Sequence, residues 1–187
     1  METSTALIAA VEAAVAEHGF DGVTLEQIAG QAGLNRVTLY RRGLTRETLL
    51  TSAALAAAEE FRAAALPALT ATTSARDRLM LLAHALFDLA DQHLALLAGL
   101  FDGPTAVFHL ATDDHDALTR LEYTAPFARI LTDGQADGTL ASVDPEEDAE
   151  VLFNLLGWTY VHLRRSHGWS PAQARPAVLR QLRWTAT

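Results

Sequence analysis

Between Thr24 and Gly43 the chain carries the punctuation of two short helices and a tight turn between them. Thr24-Leu25-Glu26-Gln27 fits a capping box, in which a threonine and the residue three positions on satisfy each other's backbone N–H. The helix it opens should end near Gly33, where a tight turn needs a residue that tolerates positive φ. Asn35 is a favourable cap for a second helix to about Arg42, and Gly43 is placed to stop it. Ala29 is small where two helices approach closely, and Ile28, Leu34 and Leu39 are the apolar residues that pack one helix on the other. Asn35, Arg36, Val37, Thr38, Arg41 and Arg42 remain for the outward faces of the second helix.

The rest of the chain reads as further helices. The first runs from about Thr5 to His18, with Leu7, Ile8, Val11, Ala14 and Val15 on one face and Gly19 as its stop. Thr45 caps a long helix to about Leu66, and residues 67–74 form a break. Another helix spans about Ala75 to Leu97, followed by a short piece to about Leu110. Asp113-Asp114-His115-Asp116 is a polar loop that caps a helix to about Thr132, kinked at Pro126. A loop over 134–143 leads to Asp144-Pro145-Glu146-Glu147, with its Asp cap, proline at the first position and acids in the first turn. That helix should reach about Arg165, with Gly168 as its stop. Ser170-Pro171-Ala172-Gln173 repeats the start signal for a last helix, which Pro176 interrupts or delays. Apolar residues make up 50% of the chain and are mostly Ala and Leu, whereas aromatics are 7%, which favours helix and excludes an all-β fold. The expectation is an all-α protein of about nine helices: a three-helix module over residues 1–46 and a helical bundle over 47–187.

The net charge of −9 argues at first against a polyanionic partner. Its distribution reverses the argument: from Gln27 to Arg46 there are four arginines and no acid. One basic segment on an otherwise acidic protein attracts phosphate locally and keeps the remaining surface off a duplex. An α-helix fits the major groove of double-stranded DNA, with residues near its N-terminus reaching base edges. Arg36 suits guanine, Val37 or Thr38 a thymine methyl, and Thr38 and Tyr40 phosphate oxygens. Thr24 and Arg46, each at a helix start, are further phosphate candidates. Taken alone, the arginines favour a solvated helix face; the spacing around them favours the groove.

Gly19-Phe20-Asp21-Gly22-Val23-Thr24-Leu25-Glu26-Gln27-Ile28-Ala29 resembles the opening of the TetR family's DNA-binding domain. So do Ala32-Gly33-Leu34-Asn35-Arg36-Val37-Thr38-Leu39-Tyr40 and Thr45-Arg46-Glu47-Thr48-Leu49-Leu50. Two departures stand out: Gly43 occupies a place where the family usually carries Phe, and there is no basic N-terminal arm. Elsewhere the match is one of length, helical character and the loop Asp133-Gly134-Gln135-Ala136-Asp137-Gly138-Thr139-Leu140. The resemblance implies a homodimer on a near-palindromic operator, a C-terminal effector pocket, and repression released by a small molecule. It also implies that the last two long helices pair with their copies. Val151, Leu152, Leu155, Leu156, Thr159, Tyr160 and Leu163 form one apolar stripe for this, and Val178, Leu179, Leu182 and Trp184 another.

Aromatic residues are concentrated after residue 86 and most must be core. Some suit the wall of a cavity for an apolar or aromatic effector. His84, Phe87, Phe101, Phe108, Tyr123, Phe127, Trp158 and His162 are the candidates, and each histidine is equally an ordinary surface or packed residue. Asp113 to Asp116 are adjacent and cannot all face one ion, so no metal or other cofactor is expected. With no cysteine, no Gly-rich phosphate loop and no serine elbow, no catalytic constellation is visible and an enzyme is not expected. No apolar run reaches membrane-spanning length and Met1-Glu2-Thr3-Ser4 lacks a basic leader, so a cytoplasmic protein is expected. The competing expectation is a helical ligand-binding or protein-interaction module that no longer reads DNA.

Overall fold

A computed structural model describes residues 4–102 and 120–185, with side chains over 4–100 and 123–182. The described residues are helical and contain no strand. The contacts divide the chain into two units, Met1–Ala57 with Ala95–Leu118, and Ala58–Leu94 with Thr119–Thr187.

In the first unit, α1 (Thr5–His18) buries Leu7, Ala10, Val11, Ala14 and Val15 and ends at Gly19, whose φ is 79°. α2 (Leu25–Gln31) opens with the capping box from Thr24 and Gln27 and buries Ile28 and Ala29. Gly33, at φ 65°, turns the chain, and Leu34 donates its N–H to the Ala29 carbonyl at 2.8 Å. α3 (Arg36–Arg41) starts at Asn35, whose side chain accepts from the Thr38 N–H, and buries Leu39. α4 (Arg46–Thr70) starts behind a reciprocal pair: Thr48 N–H donates to Thr45 Oγ1 at 3.2 Å and Thr45 N–H to Thr48 Oγ1 at 2.9 Å. Leu49, Leu50, Ala53, Ala54 and Ala57 carry its buried face in this unit.

α6 (Leu94–Asp102) contributes Leu96, Leu97, Ala98 and Leu100 to buried surface. A Cβ at Gly99 would run into the Cβ and ring of Phe20, so close packing, and no backbone demand, requires glycine there. Gly99→Ala is therefore expected to destabilise the first unit by about 1–2 kcal/mol: an overlap with the Phe20 Cβ puts overpacking at the upper end of roughly 1–3 kcal/mol, and improved helix propensity offsets up to about 1. A melt by circular dichroism checks this, and an unchanged or raised melting point would contradict the packing.

The second unit holds the rest of α4 with α5 (Ala75–Gln92), α7 (Arg120–Asp137) and α8 (Pro145–Phe153). A π turn (Asn154–Trp158) then leads into α9 (Thr159–Arg165), and α10 (Pro171–Leu179) into a 3-10 turn (Arg180–Thr185). With α8, the π turn and α9 taken as one run, there are nine helices among the described residues. The core is aromatic: Phe61 stacks on Tyr123 and Phe127 at 5.6 and 6.4 Å, Tyr123 meets Phe153 at 5.5 Å, and Phe87 stacks on Tyr160 at 4.3 Å.

Two polar knots tie these helices together. Arg78 donates to the Ala68 and Leu69 carbonyls at 2.8 and 3.2 Å and to Asp133 at 2.8 Å, joining the end of α4 to α5 and α7. Asp91 of α5 accepts from the Tyr160 hydroxyl at 2.8 Å, Arg164 at 2.6 Å and Arg175 at 2.6 Å, while Arg175 also pairs with Asp88 at 2.7 Å. Among the described residues no buried side-chain nitrogen or oxygen lacks a partner.

Several boundaries differ from the sequence reading. α4 passes through Pro67 to Thr70, and Arg78 takes up the carbonyls near its end. The expected single helix over 75–97 is broken at His93, which caps α5 and whose Nε2 lies 3.0 Å from Glu60 Oε2. α7 does not stop at Thr132 but continues through Gly134 to Asp137, with the turn at Gly138, φ 75°. A Cβ at Gly134 would overlap Leu140, which folds back there. The helix from Asp144 to Arg165 is interrupted by the π turn. α10 starts at Pro171 and carries Pro176 within it. The loop 113–116, Phe108 and the side chains of Phe101 and Trp184 lie outside the described residues.

The stripe expected to face a partner also divides. Leu152, Leu156, Tyr160, Val178 and Leu182 are buried within the unit itself. Val151 and Trp158 are left exposed, and Leu155, Thr159, Leu163 and Leu179 are half-buried. Each stripe thus divides between a buried and a more open face of its own element, and the spacing of a broad apolar stripe conceals that division.

Candidate nucleic-acid interface

α3 is held by its inward side. Leu39 is fully buried, Leu44 donates to its carbonyl at 3.1 Å, and Gly43 at φ 71° redirects the chain into α4. The basic and aromatic side chains of the helix point out. Arg36, Arg41 and Arg42 are exposed and, among the described residues, make no ion pair or side-chain hydrogen bond. Val37 is 56% exposed and Tyr40 76% exposed. Residues 36, 37, 40 and 41 are spaced one helical turn apart in pairs and share a face. That face presents two free guanidinium groups, an aromatic ring with its hydroxyl and a branched methyl pair. Among the described residues none of these groups makes an ion pair or side-chain hydrogen bond, although the chain as a whole has more acids than bases. Guanidinium groups fork onto guanine or phosphate oxygens, the valine methyls match a thymine methyl, and the phenol reaches phosphate.

Asn35 and Thr38 are partly spent on structure. Asn35 Oδ1 accepts from the Thr38 N–H at 2.8 Å and from its hydroxyl at 3.0 Å, which leaves the Asn35 amide N–H groups as donors. Thr24 is used alike: its hydroxyl donates to Gln27 Oε1 at 2.9 Å and accepts from the Gln27 N–H at 3.3 Å. For either threonine to donate to a phosphate, its hydroxyl proton must leave the cap.

Arg46 departs most from the sequence reading. Its Nε donates to the Val23 carbonyl at 2.7 Å and its Nη2 to the Phe20 carbonyl at 2.6 Å, and Cζ lies 5.9 Å from the Phe20 ring centroid. Nη1 lies 3.6 Å from Glu47. The guanidinium closes the α1–α2 turn onto the start of α4 instead of standing free for phosphate. The sequence could not reveal this, because a basic residue at a helix start looks the same whether it faces solvent or a neighbouring carbonyl. Arg46→Ala is expected to lower stability by about 1–2 kcal/mol, since each hydrogen bond contributes roughly 0.5–1.5 kcal/mol and the site is partly open to solvent. The salt dependence of DNA retention should be unchanged; a shallower salt slope at unchanged stability would restore the phosphate role.

Among the described residues, the effector candidates are not brought around one cavity. Phe87, Tyr123 and Phe127 are core residues at 0–1% exposure, filled against Tyr160 and Phe61. His84 is exposed and meets the edge of Phe87 at 6.4 Å. Trp158 is 37% exposed and stacks on the exposed His162 at 6.4 Å, with His167 a further 5.0 Å from His162. Among the described residues no group of three or more His, Asp or Glu side chains is placed to hold a metal ion. No single described helix is long and apolar enough to cross a membrane.

Residues 7–53 match the family model of the bacterial regulatory proteins, tetR family. The N-terminal unit carries a TetR-family helix-turn-helix. The fold is shared with solved TetR-family structures over nearly the whole chain. A bacterial regulatory protein in the tetR family from Rhodococcus RHA1 is 26% identical, with 98% of both chains covered and a TM-score of 0.75. A transcriptional regulator of the TetR/AcrR family from Thermobifida fusca is 20% identical over 95% of this chain and 94% of its own, with a TM-score of 0.70. The TetR-family transcriptional regulator PfmR from Thermus thermophilus is 18% identical over 96% of each, with a TM-score of 0.72. No curated protein matches the chain. A TetR-family helix-turn-helix with an exposed basic face, on a fold shared with TetR-family regulators, supports a DNA-binding transcriptional regulator.

Proposed function

We propose that the chain acts as a homodimer on a near-palindromic operator, represses transcription there, and is released by a small molecule. The observation that carries the DNA step is the outer face of α3, where Arg36, Val37, Tyr40 and Arg41 stand exposed and unspent. Arg36 and Val37 lie at the helix start, the part of a recognition helix that meets base edges, and act as the readers. Arg41 and Arg42, toward the helix end, hold phosphate, with Tyr40 beside them. The bases fix the sequence and the phosphates fix position and most of the affinity.

Dimerisation is supported by the apolar side chains that α8, the π turn and α9 leave uncovered. Val151 and Trp158 are the most exposed of these, with Leu155 half-buried between them in sequence. A two-fold axis placed there pairs the face with its own copy, and two recognition helices then read two half-sites one DNA turn apart. TetR-family proteins act typically as dimers without enzymatic activity, and release by an effector rests on that kinship. An effector releases DNA only by binding the DNA-free state more tightly than the bound one. Sedimentation equilibrium tests the assembly: wild type is expected as a dimer, and Val151→Glu with Trp158→Glu as a folded monomer with weakened operator binding. A dimer that survives both changes places the interface elsewhere.

A further inference from the structure

In the second unit, a groove of about 310 Å³ runs between α5 and the C-terminal elements. That volume is at the lower end of the roughly 300–1,000 Å³ typical of small-molecule sites. Its base is apolar: Leu79 is buried, and Met80 and Leu179 are half-buried, with Pro176 exposed at the side. Arg76 and Arg180 line the same groove and are exposed.

The arginines decide what such a groove suits. Elsewhere in this unit Arg78 and Arg129 share Asp133, and Arg164 and Arg175 share Asp91. Arg76 and Arg180 make no ion pair or side-chain hydrogen bond among the described residues. The acid next to Arg76, Asp77, is engaged by the Ser74 hydroxyl at 2.8 Å. Two cations without an ion pair among the described residues, beside an apolar floor in a chain of net charge −9, complement a molecule with an apolar body and an anionic head. A guanidinium fork matches a carboxylate in a bidentate manner, and each methylene laid on leucine and methionine adds burial.

We propose that this groove binds a medium-chain carboxylate, its chain along Leu79, Met80 and Leu179 and its head held by Arg76 and Arg180. The site does not rest on the DNA-binding reading, because it is measured on the protein alone.

The test titrates decanoate, below its micelle concentration, into the full chain by calorimetry. Decanol supplies the chain without the charge, and acetate the charge without the chain. Decanoate is expected to bind one per chain, with decanol weaker by at least about tenfold for loss of a charge-assisted hydrogen bond, and acetate weaker by at least about tenfold for loss of the buried chain. Arg76→Gln with Arg180→Gln, both exposed and unpaired, should keep the native circular dichroism and erase the preference for decanoate over decanol. Met80→Trp should fill the groove and weaken decanoate while leaving the fold intact. Absence of decanoate binding, equal binding of decanoate and decanol to wild type, or undiminished decanoate binding in the folded double variant would each overturn the proposal.

Discussion

Replacing Asp91 with alanine is expected to lower the stability of the second unit by about 2–3 kcal/mol. The carboxylate is 20% exposed and receives Tyr160, Arg164 and Arg175, so its removal takes a shared partner from two guanidinium groups and a phenol at once, leaving Arg175 with Asp88 and Arg164 with the Trp169 carbonyl. Breaking a fully buried pair costs roughly 3–5 kcal/mol, and solvent access to this one reduces that figure. In a chain of this size the melting point should fall by roughly 4–12 °C, read as loss of helix on heating. Asp91→Asn keeps an acceptor for the Tyr160 hydroxyl and should lose less.

The pH dependence has a definite sign. Burial pushes the Asp91 carboxyl up, but hydrogen bonds from Arg175, Arg164 and Tyr160 outweigh it and hold the group below its ordinary value. Asp133, hydrogen-bonded by Arg78, is likewise held low. A carboxyl depressed in the folded state contributes stability that is complete above its unfolded pKa and is lost as pH falls through the folded one. The wild type therefore loses stability on acidification from the ordinary aspartate range downward, and the gap between wild type and Asp91→Ala closes over the same interval. A gap that stays constant into strong acid would show that the charge of Asp91 is not what holds the knot.

Arg36→Ala is expected to weaken operator binding by about 1–3 kcal/mol, a loss of roughly five- to 150-fold, with the melting point unchanged. Its side chain is exposed and unpaired, so the fold has nothing to lose. The loss should be greater on the operator than on random duplex, because a base contact discriminates between sequences. Arg41→Ala or Arg42→Ala should instead weaken binding to both and make the salt dependence shallower. A folded Arg36→Ala variant that retains full operator affinity would remove Arg36 from the reading set.

Local chemistry made much of this legible in advance. Thr24 with Gln27, Gly33, Asn35 and Gly43 each play the part their residue type suggests, because caps and positive-φ turns depend on neighbours within a few residues. The helical character of the chain follows from Ala and Leu periodicity for the same reason. What lies beyond it depends on contacts distant in sequence. Arg46 reaches carbonyls of residues 20 and 23, Gly99 is selected by Phe20, and α4 continues through Pro67 to an end that Arg78 covers. The aromatics chosen as pocket walls illustrate the same limit: Phe87, Tyr123 and Phe127 have the composition of a cavity lining and the packing of a core. Arg76 and Arg180 lie about a hundred residues apart, and only the packing of α5 against the C-terminal elements brings them to one groove.

The most direct test of sequence-specific DNA reading is selection by the purified full chain from a pool of random duplexes at physiological salt with excess non-specific competitor. Enrichment of a near-palindromic site, whose retention Arg36→Ala loses, is the predicted result. A folded chain that retains duplex only at low salt and enriches no sequence would contradict the account, leaving a helical module that has kept the helix-turn-helix without reading DNA.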